Sequence, residues 1–136
     1  MDGLVVVDTA NVIGSVPDGW WRDRRGAAER LRDRLAGLSG AGLPPRPGVP
    51  DWATRPPVDI VMVVEGAARG VEPAGHVRVE DAPGSGDDHI VAVVADAREK
   101  GRDCLVVTAD RGLRARVMDL GAQVTGPRTV RPDVSS

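Results

Sequence analysis

Phenylalanine and tyrosine are absent from this chain of 136 residues, and three tryptophans are its only aromatics. A core must therefore be built from Val, Leu, Ile and Ala. Cysteine occurs once, at Cys104, which excludes an internal disulfide and fits a reducing compartment. Its neighbours Leu105-Val106-Val107 mark a buried thiol, not a nucleophile. No apolar run approaches the ~20 residues of a membrane helix, and no basic-then-apolar leader is seen, so the expectation is a cytoplasmic protein without a membrane partner. Lysine is almost missing too: every basic residue except Lys100 is arginine, which reads as coding bias. The net charge of −2 supplies no bulk attraction for nucleic acid. Only the local placement of charge can argue for such a partner.

What is present is an ordered series of apolar segments. Gly3-Leu4-Val5-Val6-Val7 does not alternate, the pattern of a strand covered on both faces of a parallel sheet. It runs into Asp8-Thr9-Ala10-Asn11. In an open α/β sheet the ligand crevice lies beyond the carboxyl ends of the strands, so an acid there is aimed at a site. A turn-rich loop over residues 12–19 should follow. From about Trp21, Ala28, Leu31, Leu35 and Leu38 share one face of a helix ending near Ser39-Gly40. Residues 39–57 hold six prolines, at 44, 45, 47, 50, 56 and 57, and read as a mobile loop, with a lid over the site as the other reading.

Residues 58–65 form the second strand, closing on Glu65, and residues 76–80 a shorter one near the edge. Asp87-Asp88 opens a helix with Ile90, Val91, Val94 and Ala97 facing inward. Residues 103–108 are the next strand; Ala109-Asp110 leads into a short helix, Arg111 to Leu120, and residues 122–124 make a last strand. The alternation predicts an α/β fold, a three-layer α/β/α sandwich with a mainly parallel sheet, in a single domain over residues 1–126. Residues 127–136 read as an unstructured tail.

Four places thus present acids at one edge: Asp8, Glu65, the pair Asp87 and Asp88, and Asp110. Each has a bland explanation. Ser85-Gly86-Asp87-Asp88 has capping-box spacing, Asp110 can cap the next helix, and Glu65 can sit in a solvent-facing turn. Asp8, with Asn11 one turn on, is harder to dismiss, since a strand end deep in a sheet is a costly place for an idle charge. Jointly, gathered carboxylates repel by a few kcal/mol per close pair at an effective dielectric of about 20, and need a proton or a cation. Oxygen ligands without His or Cys partners favour Mg²⁺ or Mn²⁺ over zinc.

Asp8-Thr9-Ala10-Asn11 after an apolar strand, Gly84-Ser85-Gly86-Asp87-Asp88-His89-Ile90 opening a helix, and Thr108-Ala109-Asp110-Arg111 after a late strand resemble the PIN-like nucleases, and within them the NYN domains of the YacP-like type. The resemblance runs from about Gly3 to Val124. It implies a metal-dependent endoribonuclease leaving a 5′-phosphate and a 3′-hydroxyl, with Asp8, Asp87 or Asp88, and Asp110 as metal positions. Glu65 stands where the family more often has Asp. Of the pair, Asp87 is the expected ligand and Asp88 the cap; Glu65 would orient water and Asn11 would steady Asp8 or a phosphate oxygen. RNA, ribosome-bound or structured, is the implied partner.

Trp20, Trp21, Arg22, Arg24 and Arg25 lie on the loop leaving the first strand, where indoles and guanidinium groups suit single-stranded RNA. They can equally staple the helix to an aromatic-poor core. Arg111 and Arg114 offer a second positive rim. Two other functions fit the chain: a non-catalytic RNA- or ribosome-associated module of the same fold, and a nucleotide phosphohydrolase. Against the last, Asp8 lacks a second aspartate two residues on, where Ala10 stands.

Overall fold

Residues 3–131 are described by a computed structural model of the chain. Strands β1 (Leu4–Asp8), β2 (Asp59–Val64), β3 (Val77–Asp81), β4 (Cys104–Val107) and β5 (Gln123–Thr125) form one sheet in the order β3-β2-β1-β4-β5. Every pairing between them is parallel. All five residues of β1 are buried, as its unbroken apolar run requires of a strand with a neighbour on each side and a helical layer on each face. Leu4 lies opposite both Asp59 and Cys104, and Val7 opposite both Met62 and Val107. The carboxyl ends of the three central strands therefore come level at one edge.

Successive residues along each strand face opposite layers. Val5, Val7, Ile60 and Met62 pack toward α1 (Thr9–Ile13) and α2 (Arg24–Ala41). Leu4, Val6, Val61 and Val106 pack toward α3 (Gly86–Glu99) and α4 (Arg111–Asp119). Ala28, Leu31 and Leu35 of α2, and Ile90, Val94 and Ala97 of α3, are the buried faces that the helical spacing anticipated. Each fully buried Val or Leu contributes about 1.5–3 kcal/mol, so these two layers hold the edge in place. Among the described residues no helix is long and apolar enough to cross a membrane.

The structure differs from the sequence reading at five places. Where a loop was expected directly after Asn11, the chain first makes α1, because the Asp8 carboxylate accepts from the Asn11 backbone and starts a turn. Helix α2 starts at Arg24 instead of Trp21: Asp23 caps it through Gly26 N, 3.0 Å away, and Trp20–Arg22 form a separate 3₁₀ turn. Its end falls at Ala41, past Ser39-Gly40, since Gly42 (φ +88°) is the residue that turns the chain. Ser39 is instead buried, its hydroxyl donating to Val58 O.

The proline-rich segment is laid against the core and does not hang free. Leu43 and Ala53 are buried, Leu43 N donates to Ala53 O at 2.8 Å, and Asp51–Thr54 form a 3₁₀ turn. The expected tail is also packed as far as it is described. Pro127–Thr129 form a turn, Val130 is fully buried in the α1/α2 layer, and Arg131 donates to Ile13 O at 3.0 Å while pairing with Asp18. A single valine among polar residues has no periodicity to announce it. Residues 132–136 of the expected tail lie outside the described residues.

Candidate active site

Asp8 is 7% exposed at the end of the central strand. Its Oδ2 accepts from the Thr108 hydroxyl at 2.8 Å and its Oδ1 from the Asn11 backbone N–H at 3.4 Å. Thr108, fully buried just past β4, in turn accepts from Asp110 N at 3.1 Å. A chain of hydrogen bonds therefore links the ends of β1 and β4. The Asn11 side chain does not bond Asp8; its Oδ1 accepts from Ala109 N at 2.9 Å and ties α1 to the β4–α4 turn. Asn11 thus steadies Asp8 through its backbone and the turn through its amide.

The remaining acids reach the same edge from three elements. Glu65, half-buried after β2, accepts from Gly86 N at 2.6 Å, at the first residue of α3. Glycine leaves room for that approach: a Cβ at position 86 would sit 3.2 Å from the Glu65 carboxyl carbon, and the carboxylate would have to shift by a few tenths of an ångström. Asp87 follows on the inner side of the first turn of α3. Asp110 is exposed and caps α4, its Oδ1 accepting from Leu113 N at 2.9 Å. Asp88 turns away: it is exposed and pairs with Arg116 at 3.0 Å. The cap of α3 is Ser85, whose hydroxyl accepts from Asp88 N, so the side chain of Asp88 does not cap as expected.

Burial above all, with the charges of Asp87 and Glu65 adding to it, pushes the Asp8 carboxyl up to about 6 against the hydrogen bonds from Thr108 and Asn11. Asp87 is raised too, first by burial and then by Asp110 and Glu65, with Arg116 opposing. Asp8, Glu65, Asp87 and Asp110 therefore sense one another's charge. They do not form a closed cage: among the described residues no three Asp, Glu, His or Cys side chains are grouped closely enough to grip one ion together. Such a cage is what zinc sites use; Mg²⁺ is held by one or two carboxylates and keeps much of its water.

Beside the acids, on the β2 side, a cavity of about 450 Å³ is lined by Thr9, Trp20, Arg24, Glu65 and Arg69 among others. Trp20 is half-buried against the α1/α2 core, stands edge-on to Trp21 (centroids 5.9 Å, 86°), and carries the Arg24 guanidinium 5.4 Å from its ring centre. Trp20 packs on the core, as the stapling reading expects, and also walls the cavity, while Trp21 is 50% exposed with Arg22 over its ring. Arg25 points elsewhere, donating to Gly70 O at 2.9 Å. Arg111 is exposed beside Asp110, but Arg114 donates to Thr108 O at 2.7 Å and braces the β4–α4 turn. His89 pairs with Glu80 at 2.7 Å.

Thr9 was not singled out by its sequence context. Its hydroxyl is buried and has no hydrogen-bond partner among the described residues, which costs about 1–3 kcal/mol. A threonine beginning a short helix carries no signal that would have distinguished it.

No protein-family model matches the chain, and no curated protein matches it by sequence. Among solved structures its fold superposes on Rae1 (YacP) from Bacillus subtilis with a TM-score of 0.70 at 18% identity, covering 95% of this chain and 71% of that one. A single-substitution variant of the same protein gives 0.67 at 17% identity, over 96% and 72%. The chain therefore shares the fold of Rae1 (YacP), the type of protein to which the sequence resemblance pointed. At this identity the likeness is one of fold.

Proposed function

We propose that this chain is a metal-dependent endoribonuclease of the PIN-like type. The observation that carries the reading is the buried Asp8, made costly by desolvation and by Asp87 and Glu65, at the carboxyl edge where an α/β sheet binds its ligands. The oxygen-only set suits a hydrated Mg²⁺ or Mn²⁺: Asp8 with Asp87 and Asp110 would hold it, one or two directly and the rest through waters. When bound, such an ion neutralises charge on the phosphodiester and makes a water more acidic for attack on phosphorus.

The chain's own groups do the remaining work. Glu65 orients the attacking water, Thr108 and Asn11 keep Asp8 and the β4–α4 turn in register, and Trp20, Trp21, Arg22 and Arg24 hold single-stranded RNA beside the acids. The bond from the water oxygen to phosphorus forms as the bond to the ribose 3′ oxygen breaks, leaving a 5′-phosphate and a 3′-hydroxyl. Incubation of labelled RNA with Mg²⁺, Mn²⁺ or chelator tests this. Metal-dependent cleavage lost in Asp8→Asn supports it; cleavage that persists in chelator overturns the metal scheme.

The absence of a three-carboxylate group among the described residues favours one second reading, an RNA-binding module without catalysis. RNA binding with no cleavage under any metal is its signature.

A further inference from the structure

The acids have a second cavity beside them, on the β5 side. It measures about 370 Å³, and its lining includes Ser15, Ala109, Pro127, Arg46, Arg128 and Arg131. Arg131 is committed to Ile13 O and Asp18. Arg46 and Arg128 are not: both are exposed, and neither side chain makes a hydrogen bond or ion pair with any described residue. No Asp or Glu lines this cavity. Guanidinium groups sharing one concavity without a counter-charge repel one another, and an anion relieves them as a cation relieves the acids. The planar fork of arginine matches the paired oxygens of a phosphate.

The cavity is joined to the acids through Ala109, whose N–H is held by Asn11 and whose neighbours are Thr108 and Asp110. A phosphate seated there belongs to the strand that crosses the acids. Arg46 also gives the packed proline-rich segment a task. Flanked by Pro44, Pro45 and Pro47, its backbone has little freedom left to lose on binding.

We propose that Arg46 and Arg128 clasp a backbone phosphate of single-stranded RNA to one side of the scissile bond. The strand would then run from the Trp20 cavity, across Asp8, Asp87 and Asp110, into the arginine cavity. This rests on the ribonuclease reading above and adds a binding subsite to it.

The test measures anisotropy of a short labelled single-stranded RNA in chelator, so that binding is read without cleavage. Arg46→Ala with Arg128→Ala is compared with wild type and with a charge-matched control, Arg55→Ala with Arg78→Ala. Arg55 lies by the cavity of the opposite edge, with Gly3 and Asp103, and Arg78 on the edge strand β3. Both arginine pairs are exposed, and thermal melts confirm that the variants fold. The expected result for Arg46→Ala with Arg128→Ala is about tenfold weaker binding than the control and a salt dependence shallower by about 0.7 per lost phosphate contact. Equal affinity of the two double variants, with wild type binding RNA, overturns this inference alone. A wild type that neither binds nor cleaves RNA overturns the ribonuclease reading with it.

Discussion

Replacing Asp8 by asparagine should make the metal-free protein more stable while abolishing cleavage. Burial raises the Asp8 carboxyl from the ordinary 3.8 to about 6. At 1.36 kcal/mol per pH unit between those values, ionising it costs the fold about 3 kcal/mol. The sign follows from the direction: because the folded value is the higher one, this group's contribution is full below pH 4 and is lost as the pH rises toward 6. At pH 8 the wild type bears the whole cost and Asp8→Asn bears none of it. Allowing for weaker hydrogen bonds from Thr108 and Asn11 to a neutral amide oxygen leaves a gain of about 2 kcal/mol. For 136 residues, at roughly 2.1 cal/mol/K each, this raises Tm by about 7 °C. Melts of both proteins in chelator from pH 4 to 8 should show a gap that opens with pH. Added Mg²⁺ should raise the wild-type Tm and leave the variant's unchanged. A variant that melts below wild type at pH 8, or a gap indifferent to pH, would refute the reasoning.

Thr108→Val leaves the buried Asp8 carboxylate and Asp110 N short of a partner; urea denaturation should show a loss of about 1–3 kcal/mol, and single-turnover assays slower cleavage. Asp88→Ala breaks only its exposed pair with Arg116, so stability changes by less than about 1 kcal/mol and cleavage persists, whereas Asp87→Ala abolishes it. Side-by-side cleavage time courses separate the two. Trp21→Ala should barely move Tm and weaken RNA binding by about 1–3 kcal/mol if one base stacks there, as anisotropy would read. Trp20→Ala should lower Tm as well, because that ring packs on the core.

The strands were legible because each interior one is a run of β-branched residues with no alternation, and such runs have few other uses in a soluble chain. The same runs located Asp8, Glu65 and Asp110, since Asp8 and Glu65 close apolar segments and Asp110 stands three residues past the end of one. What stayed hidden depends on single residues whose role is set by distant partners. Asp87 and Asp88 are chemically identical, and only the position of Arg116 on α4 separates them. Arg114 and Arg25 look like surface charge until Thr108 O and Gly70 O are found beneath them. Val130 and Leu43 bury themselves without periodic neighbours, so both segments read as loose.

The sheet order places β1 between two partners that are remote along the chain: the Asp8 carboxylate meets the hydroxyl of a residue 100 positions later. Parallel pairing of this kind closes long loops before it rewards them. A polypeptide halted or clipped anywhere between Asp8 and Thr108 possesses half of the machinery and none of its geometry. Any copy that ends before Thr108 therefore carries the Asp8 carboxylate without the hydroxyl that holds it.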